Sequence, residues 1–261
     1  MDGITAPSPR VAIVTGAAQG LGEAIALRLA DDGFDVAVAG STRNPERLDA
    51  VVASIMAKGR RAIAITGDVS READIVSLVE KTVSELGGVD VMVANAAIFR
   101  QTSLVDLTVE EWDEHLGVNA RSVMLCFKHA ARQMIRQGRG GRIIAIGSTS
   151  SKKGHISVSA YAASKFAIRG LAQCAALELR KYNITVNTVA PGSIATKMTV
   201  HPDDEVNGGP CSTMHKNAHV PLDTPVGHPS DVAALVSYVA GPESGFLTGQ
   251  CIGINGGYHL D

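Results

Sequence analysis

In the stretch SAYAASK, Ser159 to Lys165, a tyrosine and a lysine stand four residues apart among small side chains. On a helix that spacing is about one turn, so Tyr161 and Lys165 share a face, roughly 6 Å apart along the axis. The chemistry such a pair offers is proton transfer. A free tyrosine titrates near ~10, too high for exchange at neutral pH, and a neighbouring ammonium favours the phenolate and brings the value down. Ser148 ends the apolar run RIIAIGS thirteen residues before Tyr161. If that run is a strand, the serine hydroxyl can enter the same cleft at the carboxyl edge of a sheet. Taken alone, Tyr-x-x-x-Lys describes a solvated helix face more often than a site. The setting makes this one a catalytic candidate.

A second motif, TGAAQGLG, runs from Thr15 to Gly22, after an apolar run and at the opening of a helical pattern. Backbone N–H groups at a helix start, freed of side chains by glycine, can approach a pyrophosphate closely. Gly16, Gln19, Gly20, Leu21 and Gly22 are therefore candidates for holding a nucleotide. The spacing is G-x-x-x-G-x-G, which differs from the common G-x-G-x-x-G fingerprint. A tight strand-to-helix turn would also use glycines here, but the place of the motif after the first strand favours nucleotide binding.

These residues need a frame that brings them to one edge. Short apolar runs occur at 10–14, 35–39, 62–66, 89–94, 142–147, 185–190 and 250–254. They read as strands buried on both faces of a parallel sheet. Helical periodicity lies between them at 20–32, 45–58, 72–86, 109–136, 159–181 and 231–240, with Gly33, Gly59 and Gly87 placed to end helices. Such alternation predicts an α/β fold: a doubly wound, Rossmann-like, seven-stranded parallel sheet with helices on both faces. The 261 residues, 45% hydrophobic, suit one domain over 10–261, preceded by a frayed tail at 1–9. A net charge of -2 gives no electrostatic case for nucleic acid or an acidic membrane surface, and no apolar run is long enough to span a bilayer. Four scattered cysteines without C-x-x-C read as reduced thiols in a cytoplasmic protein. The segment from about 193 to 225, rich in Pro, Gly, Asp and His, lacks a period and is expected to be a lid.

From Arg10 onward the chain resembles the short-chain dehydrogenase/reductase family. The resemblance rests on TGAAQGLG (15–22), GDVS (67–70), NAA (95–97), Asn119 of GVNA, Ser148, YAASK (161–165), PGSIAT (191–196) and GQCIGINGG (249–257). Within the family the chain looks closest to acetoin/diacetyl-type and 3-oxoacyl-type ketone reductases. The resemblance implies hydride transfer between a nicotinamide and a secondary alcohol or ketone, a small-molecule substrate. Tyr161 would be the general acid/base, and Lys165 would lower its pKa and hold the nicotinamide ribose. Ser148 would bind the substrate oxygen, and Asn119 would support a water leading from Lys165 to solvent. Asp68 and Val69 would flank the adenine, with Asn95 and Ala96 on the adenosine side. Pro191, Gly192, Ile194 and Thr196 would meet the carboxamide or pyrophosphate. His155 is a candidate wall of the substrate pocket. The helices of 109–136 and 159–181 would pair across a dimer face, giving a homodimer or homotetramer.

The chain departs from the family pattern at two places. Ala97 stands where a glycine is usual, which puts packing beside the adenosine in question. PLDTPVGHP lacks the usual arginine, which puts the anchoring of the lid in question. At the end of the second strand, where an acid would grip both ribose hydroxyls, the chain has Gly40. Ser41, Thr42 and Arg43 follow, and they can meet a 2′-phosphate through hydrogen bonds and charge. Neutral Gln19 in the glycine loop counts the other way. NADP(H) is therefore favoured, with NAD(H) possible. No metal is expected: His215 and His219 are four apart, but no motif completes a site around them. Two rival readings stand beside this one: a related epimerase or dehydratase that keeps the fold, and, from another class, a catalytically silent nucleotide-sensing or scaffold protein. The intact Ser148, Tyr161 and Lys165 argue against both.

Overall fold

The structure, a computed structural model, describes residues 10–260. The expected tail at 1–9 lies outside the described residues. The strands are β1 (Val11–Thr15), β2 (Asp35–Gly40), β3 (Ala62–Thr66), β4 (Val91–Ala94), β5 (Gly141–Ile146), β6 (Ile184–Pro191) and β7 (Cys251–Ile254). They form one seven-stranded sheet in the order β3-β2-β1-β4-β5-β6-β7, every pair parallel.

Alternate residues of the strands feed two cores. Val11 and Ile13 of β1 face a layer made by α3 (Glu72–Leu86), α5 (Ser122–Gln137) and α6 (Ser159–Leu179). Ala12 and Val14 face the opposite layer, made by α1 (Gly20–Asp31), α2 (Pro45–Ala57) and α9 (Pro229–Ala240). The remaining helices are α4 (Val109–His115) and two short ones, α7 (Asp204–Asn207) and α8 (Ser212–Asn217). Gly33, Gly59 and Gly87 all take positive φ where helices end, the left-handed conformation that glycine adopts without strain.

Three local expectations are corrected. The strands are not all buried on both faces: in β3, Ala64 and Thr66 are exposed, because β3 is an edge strand. The single helix expected over 109–136 is interrupted by a wider π turn, Leu116–Arg121, between α4 and α5. Asn119 sits in that turn, fully buried. Its Oδ1 accepts from the Ile98 amide at 2.8 Å, and its Nδ2 donates to the Ile98 carbonyl at 3.0 Å and to Ser164 Oγ at 3.1 Å. The widened turn accompanies these bonds to two other segments, which a helix period does not register. The segment 193–225 is not aperiodic throughout, since it contains α7 and α8, both too short to show a period.

The strand order reverses between β1 and β4, and a crevice opens at such a point at the carboxyl ends of the strands. Thr15 staples the two sides together. Its Oγ1 accepts from the amides of Asn95 at 3.0 Å and Ala96 at 3.1 Å, while Asn95 Nδ2 donates to the Thr15 carbonyl at 2.8 Å.

Candidate active site

β5 ends at Ile146 and the chain turns into a single 3₁₀ turn, Thr149–Ser151, which Ser148 caps. Ser148 Oγ accepts from the Ser150 amide at 3.1 Å, and Ser151 Oγ accepts from the Ser148 amide at 3.2 Å. This reciprocal box fixes the serine at the carboxyl edge of the sheet. Its hydroxyl lies near enough to the Tyr161 hydroxyl to favour the phenolate. Tyr161 and Lys165 lie in the first two turns of α6, with the lysine Nζ 5.5 Å from the centre of the tyrosine ring. Phe99 meets the same ring edge-on at 5.0 Å. Nothing in the sequence marked Phe99, which the loop after β4 carries to α6.

Lys165 is buried, and its Nζ donates to the Ile146 carbonyl at 2.8 Å. Asn119 reaches the same helix through Ser164, whose Oγ donates to the Tyr161 carbonyl at 2.6 Å. The fold therefore brings Ser148, Tyr161, Lys165 and Asn119 into one neighbourhood.

The electrostatics run against the direction expected from the pair alone. Burial pushes the Tyr161 hydroxyl up to about 12, and the nearby Ser148 hydroxyl only partly offsets it. Burial pushes the Lys165 ammonium down to about 7. Desolvation disfavours the charged form of each group, and a lysine that is itself desolvated does not act as a full cation beside the phenol. At neutral pH the tyrosine thus holds its proton and can give it to an oxygen placed beside Ser148.

The glycine loop opens α1. Its backbone is bare for a geometric reason: a Cβ at Gly22 would lie 2.2 Å from the Gly16 carbonyl oxygen, and one at Gly16 would lie 2.9 Å from Ala96 Cα. A Cβ at Gly20, which has φ +61°, would project to 3.5 Å from the Thr196 side chain on the loop after β6. The two loops predicted to hold a pyrophosphate therefore face each other across a space that a side chain would fill. Gln19 is the N-cap residue of α1, and Leu21 lies in its first turn.

Beyond the ends of β2 and β3 a small cleft is lined by Gly40, Gly67, Asp68 and Val69, among others. Asp68 accepts from the Ser70 hydroxyl and amide, which hold its carboxyl below the usual range. A Cβ at Gly40 would press on buried Leu48 at 3.2 Å. Ser41, Thr42 and Arg43 are exposed in the turn that follows. These features fit an adenosine end at the cleft and a pyrophosphate on the glycine loop. Ala97, where a glycine is usual, is not among the residues with positive φ, so its methyl group brings no backbone strain.

After β6, Pro191 is buried, and the Gly192 amide donates to the Ile254 carbonyl at 2.9 Å. Ile194 is buried and pairs with Gly227 in an isolated bridge; the Ala195 amide donates to the Gly227 carbonyl at 3.0 Å. This bridge ties the start of the segment 193–225 to the PLDTPVGHP stretch despite the missing arginine. Ser193 Oγ is 2.7 Å from Nε2 of His215, which is buried in α8. His219 lies beyond that helix and is exposed, so the two histidines do not share a helical face. His155 packs on the C-terminal segment: its ring stacks on Tyr258 at 6.0 Å, and its Nδ1 is 3.4 Å from the Tyr258 hydroxyl.

A family model described as short chain dehydrogenase matches residues 10–207. A short-chain dehydrogenase/reductase of Armillaria gallica is 47% identical over 254 residues, covering 97% of each chain. The 3-oxoacyl-[acyl-carrier-protein] reductase of Staphylococcus aureus is 38% identical, covering 95% of this chain and 98% of the other. A short chain dehydrogenase from Burkholderia cenocepacia, solved in complex with NADP, superposes with a TM-score of 0.85 at 40% identity, covering 97% of this chain and 98% of that one. A Mycobacterium paratuberculosis short chain dehydrogenase bound to NAD gives 0.86 at 30% identity, with 95% and 97% covered.

Proposed function

Since the chain belongs to the short-chain dehydrogenase family, we propose that it is a reductase/dehydrogenase interconverting a secondary alcohol and a ketone, with NADP(H) preferred. The observation that carries this reading is the gathering of Ser148, Tyr161 and Lys165 at the carboxyl edge of the sheet, with the lysine Nζ 5.5 Å from the tyrosine ring and bonded to the last carbonyl of β5. When bound, the nicotinamide supplies or accepts the hydride. The chain supplies position and the proton. Ser148 orients the substrate oxygen, held in place by its own reciprocal cap. In the reductive direction Tyr161 gives that oxygen its proton; in the oxidative direction it takes the proton back. Lys165 and Asn119 fix α6 against β5 and the loop after β4. Gly16, Gln19, Gly20, Leu21 and Gly22 would hold the pyrophosphate with Thr196 opposite, and Lys165 the nicotinamide ribose. Asp68, Val69, Asn95 and Ala96 would border the adenosine, with Pro191, Gly192 and Ile194 flooring the nicotinamide side.

The NADP(H) preference rests on the bare Gly40 and on the hydrogen-bonding and cationic residues after it. Arg43→Ala should raise KM for NADPH and leave NADH nearly unchanged; equal losses with both overturn that assignment. Absorbance at 340 nm with a panel of ketones and alcohols of graded size tests the activity itself. Oxidation or reduction of the nicotinamide coupled to one of them is expected. Product rearrangement without net change in absorbance would instead support the epimerase or dehydratase, and nucleotide binding without turnover the silent scaffold. A cytoplasmic location and a homodimer or homotetramer complete the proposal.

A further inference from the structure

The segment that joins the glycine loop to the Gly40 cleft carries a second arginine, which the sequence pattern did not mark. Arg47 is the third residue of α2, whose first residue is Pro45. Its guanidinium Nη1 is hydrogen-bonded to Oε1 of Gln19, the N-cap of α1 in the glycine loop. The next residue, Leu48, is fully buried, with its Cδ1 3.2 Å from where a Gly40 Cβ would be. Leu48 is thus packed beneath the Gly40 end of β2, and Arg47 beside it reaches the glycine loop. Arg43 is differently placed. It is exposed, and its charge faces Glu114 of α4, helping to hold that carboxyl low together with Arg100, which is hydrogen-bonded to it. Arg47 is bonded to a neutral amide, so its hydrogen-bond partner does not cancel its charge. A guanidinium has five N–H donors in a rigid fork suited to phosphate.

We propose that Arg47, docked on Gln19, joins Arg43 in recognising the adenosine 2′-phosphate, and that the fold supplies from α2 the cation missing from the glycine loop. The proposal rests on the nicotinamide dinucleotide reading above and deepens it. The test is calorimetric binding of adenosine 2′,5′-bisphosphate and of 5′-AMP to the full chain, independent of turnover. The wild type should bind the 2′-phosphorylated probe more tightly. Arg47→Ala should weaken that probe by about tenfold or more, the scale of a charge-assisted contact to phosphate. It should leave 5′-AMP within roughly twofold, which also reports that the loop is intact. Arg47→Lys, which keeps the charge and loses the fork, should fall between. If the wild type shows no preference between probes, the NADP(H) preference fails and this assignment with it. If the wild type prefers the 2′-phosphate and Arg47→Ala keeps that preference, or weakens both probes alike, the Arg47 assignment alone is overturned.

Discussion

At the residue scale, burial governs the Ser148–Tyr161–Lys165 group more than mutual attraction does. Tyr161→Phe keeps the ring against Phe99 and removes the transferable proton. Turnover should fall by ~10²–10⁴-fold while nucleotide binding survives, as measured by kcat and by titration of the dinucleotide. Wild-type turnover in the purified variant would exclude the tyrosine as the acid. Lys165 should carry a stability cost. Its folded pKa, down to about 7, lies below the unfolded value near 10.5, so the unfolded chain binds the extra proton between them. Stability should therefore rise with pH from about 7 until Tyr161 reverses the slope above about 10, where the folded tyrosine, raised to about 12, retains a proton that the unfolded one loses. Lys165→Met removes the buried amine at the loss of one hydrogen bond to the Ile146 carbonyl. It is expected to abolish turnover, raise the melting temperature and flatten the pH slope below 10. A lower melting temperature with the slope intact would show that the lysine is paired as a cation.

At the scale of elements, the segment 193–225 is held by two polar anchors. Asp204 is buried and accepts from the backbone amides of His201, Cys211 and Thr213, which hold its carboxyl well below the usual range. His215 in α8 is bonded to Ser193 beside Gly192, and burial lowers its pKa from 6.5. A histidine depressed in the fold stabilises the folded form above its unfolded pKa, and that contribution is lost as pH falls through the folded value. We expect a lid whose amides exchange faster than those of the sheet, slow on addition of substrate, and lose protection relative to the intrinsic exchange rate as pH drops below about 6.5. Exchange as slow as in β5 and β6, with no change on ligand addition or acidification, would remove the lid assignment. Asp204→Asn should loosen the same amides without touching those of β1. Trimming the segment should alter the substrate profile more than nucleotide affinity.

At the scale of the whole molecule, α5 and α6 carry the face expected to meet a second copy. On α6, Phe166 and Leu177 are 43% and 67% exposed, and on α5, Met124 and Ile135 are each 37% exposed. Each pair is eleven residues apart, about three turns, so each lines one face of its helix. Contiguous exposed apolar surface marks interaction sites, and these rows are where we expect one. Phe166→Arg should lower the mass measured by light scattering toward that of one chain, 27.2 kDa, with the circular dichroism unchanged. An unaltered assembly would move the interface elsewhere, and a wild type of one-chain mass would dismiss it.

The sequence by itself determined what local chemistry can encode. Alternating apolar runs and helical periods specify a parallel sheet because period and length separate strand from helix. The bare glycines at 16 and 22 are legible because only glycine fits where a Cβ would meet backbone, and Gly20 because it takes a positive φ. Ser148, Tyr161 and Lys165 are legible because their residue types and spacing at a strand end and a helix turn are few-residue patterns. Tertiary structure decided whatever depends on distance through space. Arg47 meets Gln19 across twenty-eight residues of chain. Asn119, in its widened turn, reaches Ile98 and Ser164. Phe99 arrives at Tyr161 from another loop, and His155 turns to Tyr258. The direction of the Tyr161 and Lys165 shifts belongs to the same class, because desolvation is set by everything packed around a group and a neighbour in sequence is only one part of that surrounding.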